Sequence, residues 1–323
     1  MTGRRVALYY AWSRPAETSA PLSVIENRFP ALFELRRMLY PRFEEETGFD
    51  QGIAGFLDHV MKLNFAAFVE QTAAQTGHRP VEIERVGDDG AEKPLDDILL
   101  SEIDTLIVIS FDSLRTGQQA SAAEIGAVKS FLDDPDHLVF ICPHHDIGHA
   151  EHASHAETVR LQEEDFYHHG DPTIPPEQRF GGLARSLLAG LGVPVENQFG
   201  LRPAKNPDGS PAPIEIEPDR DRLNILEGVP TFNLHPHLPH LERLGDAVSK
   251  LDVLARQPID LSAPPHAFVQ SGHSKFDALL QSRPGVFAGT LFVSDTTLWS
   301  STAGGVESLR RLWTNVVQRP TRS

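Results

Sequence analysis

The stretch from Asp104 to Cys142 constrains this chain most. Thr105-Leu-Ile-Val-Ile-Ser110 is a short, β-branched run bounded by polar residues, the pattern of a fully buried strand. Ser121-x-x-Glu124 is a capping-box pattern, and Ile125, Val128 and Phe131 follow it on one helical face. Pro135 ends that helical region, and Leu138-Val-Phe-Ile-Cys142 reads as the next strand. Strand, helix and strand at this spacing form a βαβ unit, which requires parallel strands. The expected fold is therefore α/β: a doubly wound, mostly parallel sheet flanked by helices, with inserted loops.

The remaining pattern extends that reading over residues 1–323 as one α/β domain. Val6 to Tyr10 reads as a buried strand, and Leu32, Leu35 and Leu39 recur at helical spacing. A helix is expected from Gly55 to Thr76, with Phe56, Val60, Leu63 and Ala67 on one face and Gly77 as its stop. Val81 to Val86 alternates as a second strand. Phe180, Leu183, Leu187 and Leu191 mark another helix. Further strands are expected at Pro230–Leu234, His266–Gln270 and Val286–Ser294. Helices are expected through Leu244, Val248 and Leu251, and through Val306, Leu309 and Trp313. Two segments break the rhythm: a His-rich insertion over about 143–176 and a Pro-rich excursion over about 202–221.

Charge and composition narrow the function classes. There are 29 basic and 45 acidic residues, a net charge of -16, which disfavours nucleic acid as a partner. The single cysteine, Cys142, rules out an internal disulfide and a Cys-based zinc site. The N-terminus lacks the apolar core of a signal peptide, and no run approaches the roughly 18 apolar residues of a membrane span. These features lead to the expectation of a cytoplasmic protein with a small-molecule substrate and no membrane partner. Association with further copies of the chain is left open. There is no G-x-G-x-x-G after a strand and no G-x-x-x-x-G-K, so no nucleotide cofactor is expected. Ser300-Ser-Thr-Ala-Gly-Gly305 reads as a loop that caps the last helix.

In a doubly wound sheet, ligands bind beyond the carboxyl ends of the strands. The residues expected there are Ser13 and Arg14, Asp112, the run from Cys142 through His144, His145 and Asp146, then His235 and His237, and Asp295. Turns favour Asp, Asn, Gly and Ser, and repeated histidine is not part of that preference. The chain has 15 histidines, seven of them between His144 and His169. If that segment is helical, His145, His149 and His152 share one face, and i, i+4 histidines can hold one metal. His235-Pro-His237 presents two more histidines on one side of an extended segment. The candidate metal ligands are His145, Asp146, His149 and His237, for a divalent zinc, iron or manganese ion. A site without metal, with one or two of these histidines as general acid or base, is the alternative. Candidate catalytic residues are Cys142, His144, His235 and Asp112, and candidate substrate contacts are Ser13, Arg14 and Asp295.

Cys142 ends a strand and precedes a turn, where a nucleophile elbow would present its thiol. The run from Asp104 to Cys142, the segment Phe232-Asn-Leu-His235-Pro-His237 and the closing Phe292-Val-Ser-Asp-Thr-Thr-Leu-Trp299 together resemble the class I glutamine amidotransferase-like superfamily, its ThuA-like branch above all. That resemblance covers about half the chain. It implies that the doubly wound sheet is of flavodoxin-like or class I glutamine amidotransferase-like type, and that Cys142 is catalytic with His235. The chain departs from the family pattern in three places. No glycines flank Cys142, His237 stands where the family has Glu, and Pro143 cannot donate the oxyanion hydrogen bond expected after the nucleophile.

The functional expectation is a hydrolase acting on a small polar molecule, carboxylated or amide-containing, through a His/Asp site that holds a divalent metal. The alternatives are a metal-free Cys142/His235 amidohydrolase and a non-catalytic binding or scaffold protein on the same fold.

Overall fold

A computed structural model describes residues 3–18, 62–112, 116–147 and 178–319, with a few positions between 154 and 163. Its first strand, β1 (Val6–Ser13), is buried at every position. Val6, Leu8, Tyr10 and Trp12 enter one hydrophobic cluster, and Ala7, Tyr9 and Ala11 enter another. A strand with period-2 side chains is apolar throughout only when both sheet faces are covered.

After β1 come α1 (Arg14–Thr18), α2 (Leu63–Thr76), β2 (Val81–Val86), α3 (Asp97–Ser101), β3 (Thr105–Ser110) and α4 (Ala122–Phe131). Then follow β4 (Leu138–Pro143), β5 (Asp146–Ile147), β6 (Gln178–Arg179), α5 (Gly182–Gly190), β7 (Val195–Leu201) and β8 (Glu215–Ile216). The chain closes with β9 (Leu238–Arg243), α6 (Ala247–Lys250), β10 (Leu251–Pro258), α7 (Ala267–Gln270), β11 (Lys275–Ser282), β12 (Thr290–Ser294) and α8 (Val306–Val317).

Eight strands form the main sheet in the order β2-β1-β3-β4-β12-β11-β10-β8. The five from β2 to β12 are parallel to their neighbours, and β11, β10 and β8 continue the sheet antiparallel. One face carries Phe65, Phe68 and Val69 of α2 with Leu309, Trp313 and Val316 of α8. The other carries Val128 and Phe131 of α4 with Leu183, Leu187 and Leu188 of α5. This is an α/β architecture with a large mixed, mostly parallel sheet flanked by helices, compatible with double winding. A second, four-stranded sheet has the order β6-β5-β7-β9, and all its pairs are antiparallel. Among the described residues no helix is long and apolar enough to cross a membrane.

The capping box at Ser121 is complete. The Ser121 side chain accepts from the Glu124 N–H, and the Glu124 carboxylate accepts from the Ser121 N–H. Several expectations are corrected. β1 runs to Ser13, three residues beyond Tyr10. Pro230–Leu234 is extended but unpaired as a strand, and its polar groups bond to Ile214 N–H and to the Gln257 side chain instead. The helix expected through Leu251 covers only Ala247–Lys250, because Leu251 begins β10. His266–Gln270 is not a strand, since His266 caps the short helix α7 by accepting from the Phe268 N–H. β9 and β11 were not expected from the sequence. Leu32, Leu35, Leu39 and residues 55–61 lie outside the described residues.

Candidate metal centre

The carboxyl ends of β4 and β12 lie side by side, because Val293 pairs with Ile141. Each strand hands over to a polar residue at once. His144 follows β4, Asp295 follows β12, and His144 Nδ1 donates to Asp295 Oδ2 at 2.9 Å. The hydroxyl of Thr296 donates to the Cys142 carbonyl at 2.7 Å and so locks the two strand exits together.

The small sheet positions the next group. β5 starts at Asp146, one residue after His145. Asn197 on β7 is fully buried, donates to the His144 carbonyl and to the Phe180 carbonyl, and is itself held by Arg185 at 2.8 Å. The His235–His237 turn enters from a third direction. The His235 N–H donates to Asn233 Oδ1 at 3.0 Å, and Asn233 donates to Thr297 Oγ1 at 2.8 Å. Gly305 supports this turn from behind. It has φ 67°, and a β-carbon there would lie 2.5 Å from the Phe232 carbonyl oxygen, so glycine is required. The Ser300–Gly305 loop thus caps α8 and carries the histidine turn, with Leu234 N–H bonded to the Ala303 carbonyl at 2.8 Å.

The result is a histidine cluster. His144 and His145 are buried, His237 is half-buried, and one nitrogen from each lies within 4.8 Å of the others. The His145 and His237 rings are 4.2 Å apart, and the His235 ring is 4.1 Å from that of His237. Two hydrogen bonds fix the tautomers of the neutral rings. The Asp295 carboxylate can only accept, so His144 carries its proton on Nδ1 and presents Nε2. His235 Nδ1 donates to the His237 carbonyl at 3.2 Å, so its Nε2 is the unprotonated nitrogen. Phe111 and Phe180 form the apolar wall, 4.7 Å and 5.8 Å from the His144 ring.

Asp295 also accepts from the Thr297 N–H at 2.8 Å and from the Thr297 hydroxyl. Burial pushes this carboxyl up, but the electrostatic pull and hydrogen bond of His144, the nearby His235 and the Thr297 hydroxyl outweigh it and hold it below the ordinary aspartate value. A carboxylate bonded to the far nitrogen of a ligating histidine is the usual support of a metal site. Three convergent imidazoles could therefore hold a metal ion, and they suit zinc, iron or nickel-type ions better than the oxygen-seeking calcium or magnesium.

The other expected site residues lie elsewhere or engage other partners. Cys142 is fully buried, accepts from Trp299 Nε1 at 3.2 Å and lies 3.3 Å from Ser294 Oγ. Burial pushes its thiol up to about 12, against the Ser294 and Trp299 hydrogen bonds. Asp112 serves the start of α5, accepting from the Leu183 N–H at 2.9 Å and from the Ser110 hydroxyl at 2.5 Å. Arg14 pairs with Glu84 through Nε and, at 2.7 Å, through a terminal nitrogen. Burial raises Glu84, but Arg14, Lys62 and Trp12 pull it down to about 2, so Arg14 is tied to a carboxylate of its own chain. The Ser13 hydroxyl accepts from the Ala16 N–H at 3.4 Å. Asp146 lies 3.9 Å from Arg185 and outside the three-histidine group. His145 precedes a strand, so the helical reading of the His145, His149 and His152 spacing fails at its first member. His149 and His152 lie outside the described residues. Asn197, Phe111 and Phe180 were missed by sequence reasoning.

Compared with known proteins, the chain matches no family model and no curated protein.

Proposed function

We propose that the chain is a metal-dependent hydrolase acting on a small polar molecule, amide-containing or carboxylated. The observation that carries this reading is the convergence of His144, His145 and His237 within 4.8 Å, with Asp295 behind His144. Three protein ligands leave a coordination position for water or substrate, the arrangement of catalytic rather than structural zinc sites. A divalent zinc, iron or manganese ion held there would lower the pKa of its water towards neutrality. The chain's own residues supply the rest. Asp295 orients His144 and makes its Nε2 a better ligand. His235 Nε2 stands ready to accept a proton from the attacking water and return it to the leaving group. Phe111 and Phe180 exclude bulk water from one side.

The sheet, read as flavodoxin-like in its β2-β1-β3-β4-β12 portion, supports this placement, since the cluster lies beyond the carboxyl ends of two parallel strands. The amidotransferase-like resemblance is kept here for the fold. A thiol buried between Ser294 and Trp299, with its pKa pushed up to about 12, speaks against attack by Cys142. A second reading, favoured by the 2.9 Å His144–Asp295 bond, uses that pair as a metal-free general base.

The test is metal analysis of the untagged protein by plasma mass spectrometry, followed by hydrolysis assays on a panel of small amides and esters. About one equivalent of metal, lost together with turnover in His145→Ala, is the expected result. Retention of no ion after incubation with zinc, iron or manganese contradicts the metal reading. Turnover that persists in metal-free protein and vanishes in Asp295→Asn selects the second one.

A further inference from the structure

At the other end of the main sheet, three arginines converge on one carboxylate. Asp252 sits at the start of β10, with a side chain that is 8% exposed. Its Oδ1 accepts from Arg220 and, at 2.8 Å, from Arg283 Nε, while Arg222 lies 3.7 Å from Oδ2. Arg220 comes from the turn after β8, Arg222 from the loop beyond it, and Arg283 from the residue that follows β11. The Ser282 hydroxyl accepts from the Leu291 N–H, which places this group beside the beginning of β12. The histidine cluster lies past the end of β12, so the two regions occupy opposite ends of the sheet.

The charges at this end do not balance. Three guanidinium groups face Asp252, and Asp221 is the second carboxylate acting on Arg222, which leaves one positive charge in a chain whose net charge is -16. Asp221 acts on Arg222 through its charge alone, since its two oxygens accept from the Ile225 and Leu226 N–H groups at 3.0 Å and 2.8 Å. Burial lowers the Arg222 pKa against the pull of Asp252 and Asp221. Each guanidinium has five donors, and Arg220 and Arg283 each place a single one on protein, with side chains 49% and 39% exposed.

A second observation points the same way. Gln281 is fully buried, and among the described residues neither oxygen nor nitrogen of its amide has a hydrogen-bond partner. In the β10–β11 pair Gln281 stands directly opposite Asp252, so the two side chains share a face. A buried amide without partners is costly and calls for an additional group nearby.

We propose that Arg220, Arg222 and Arg283, floored by Asp252 and Gln281, form a binding site for a phosphoryl group, free or carried on a small molecule. Arginine forks match tetrahedral oxyanions, and a phosphate monoester carries about -1.5 to -2 charges at neutral pH, opposite in sign to the local excess. An oxygen seated in this group also gives the Gln281 nitrogen an acceptor. The site is independent of the histidine cluster and of the reaction assigned to it.

The test is isothermal titration of the full-length protein with inorganic phosphate at constant ionic strength. Saturable binding of one equivalent is expected, weakened about tenfold or more in Arg220→Gln and in Arg222→Gln. Arg220→Lys should restore little, because the fork and not the charge alone is used. Arg220 is half exposed, so its replacement leaves the fold intact. His237→Ala should leave phosphate binding unchanged. The proposal is overturned if no saturation is seen by about 10 mM phosphate, or if His237→Ala abolishes the signal while Arg220→Gln preserves it.

Discussion

Asp112 and Asp295 follow two parallel strands of the same sheet, both are buried, and their environments drive them in opposite directions. Asp112 faces a serine hydroxyl and the backbone N–H of Leu183, and burial raises its pKa. At Asp295 burial works the same way, but the electrostatic pull and hydrogen bond of His144, with His235 and the Thr297 hydroxyl, outweigh it and the pKa falls. The difference lies in the partner, not in the position along the strand. Neutral donors let an aspartate tie a helix to a sheet, whereas an imidazole makes it part of a site that handles charge. Gly181 shows how closely the first of these regions is packed. It has φ 80°, and a β-carbon there would lie 2.9 Å from the Pro143 side chain, so α5 begins in contact with the exit of β4.

The comparison breaks most visibly at Asp112. Asp112→Ala strips the Leu183 N–H and the Ser110 hydroxyl of their buried acceptor, and should destabilise the protein by about 2–3 kcal/mol in urea unfolding. Metal content should not change. A variant of full stability that loses metal would reverse the roles assigned to the two aspartates. Asp295→Asn should do the opposite, weakening metal affinity about 10- to 100-fold with a smaller effect on folding. Competition with a chelator of known affinity measures it.

The pH dependence of stability in metal-free protein sharpens the contrast. The Asp295 pKa is lowered on folding. Its contribution is therefore fully present above the unfolded value of about 3.9 and is lost as pH falls through the folded value. The Asp112 pKa is raised, so the folded state keeps that proton longer and stability is lost as pH rises from about 3.9 through the folded value. Unfolding free energies of Asp295→Asn and Asp112→Asn, each subtracted from the parent, should change with pH in opposite senses. Parallel curves would show that the imidazoles do not charge-stabilise Asp295. The smallest effect is expected at Cys142. Cys142→Ser should keep metal and turnover and change stability by about 1 kcal/mol, and the native thiol should resist alkylation until the protein unfolds. Loss of turnover in a folded Cys142→Ser protein would instead return the nucleophile to Cys142.

The parallel half of the fold was legible because buried strands write themselves as unbroken apolar runs, and the edge strand β2 as an alternation of apolar and charged residues. Thr105–Ser110 and Val81–Val86 have the bounds read from the sequence, and Leu138–Cys142 gains only Pro143. The antiparallel half was not. β9 contains Pro239 and three charged or titratable residues, and β11 begins with Lys275 and Asp277, so neither shows an apolar run. Leu244, Val248 and Leu251 have helical spacing by coincidence, since a turn and a strand divide them. At the site, strand-end logic reached His144, His145 and Asp295, while the His235–His237 turn was reached through Pro230–Leu234, which is not a strand. It could not tell which side chains meet, because Asp112 and Arg14 also follow strands and engage Leu183 and Glu84 instead. The grouping depends on contacts between residues 144 and 295 and between 145 and 237, and such long-range pairings leave no local pattern.

The most direct test of the three-histidine centre is X-ray absorption at the edge of the metal retained by the purified protein. The account predicts three imidazole nitrogens at about 2.0–2.1 Å for zinc, with one lost in His237→Ala. A first shell of oxygen alone, unchanged by that substitution, would contradict it.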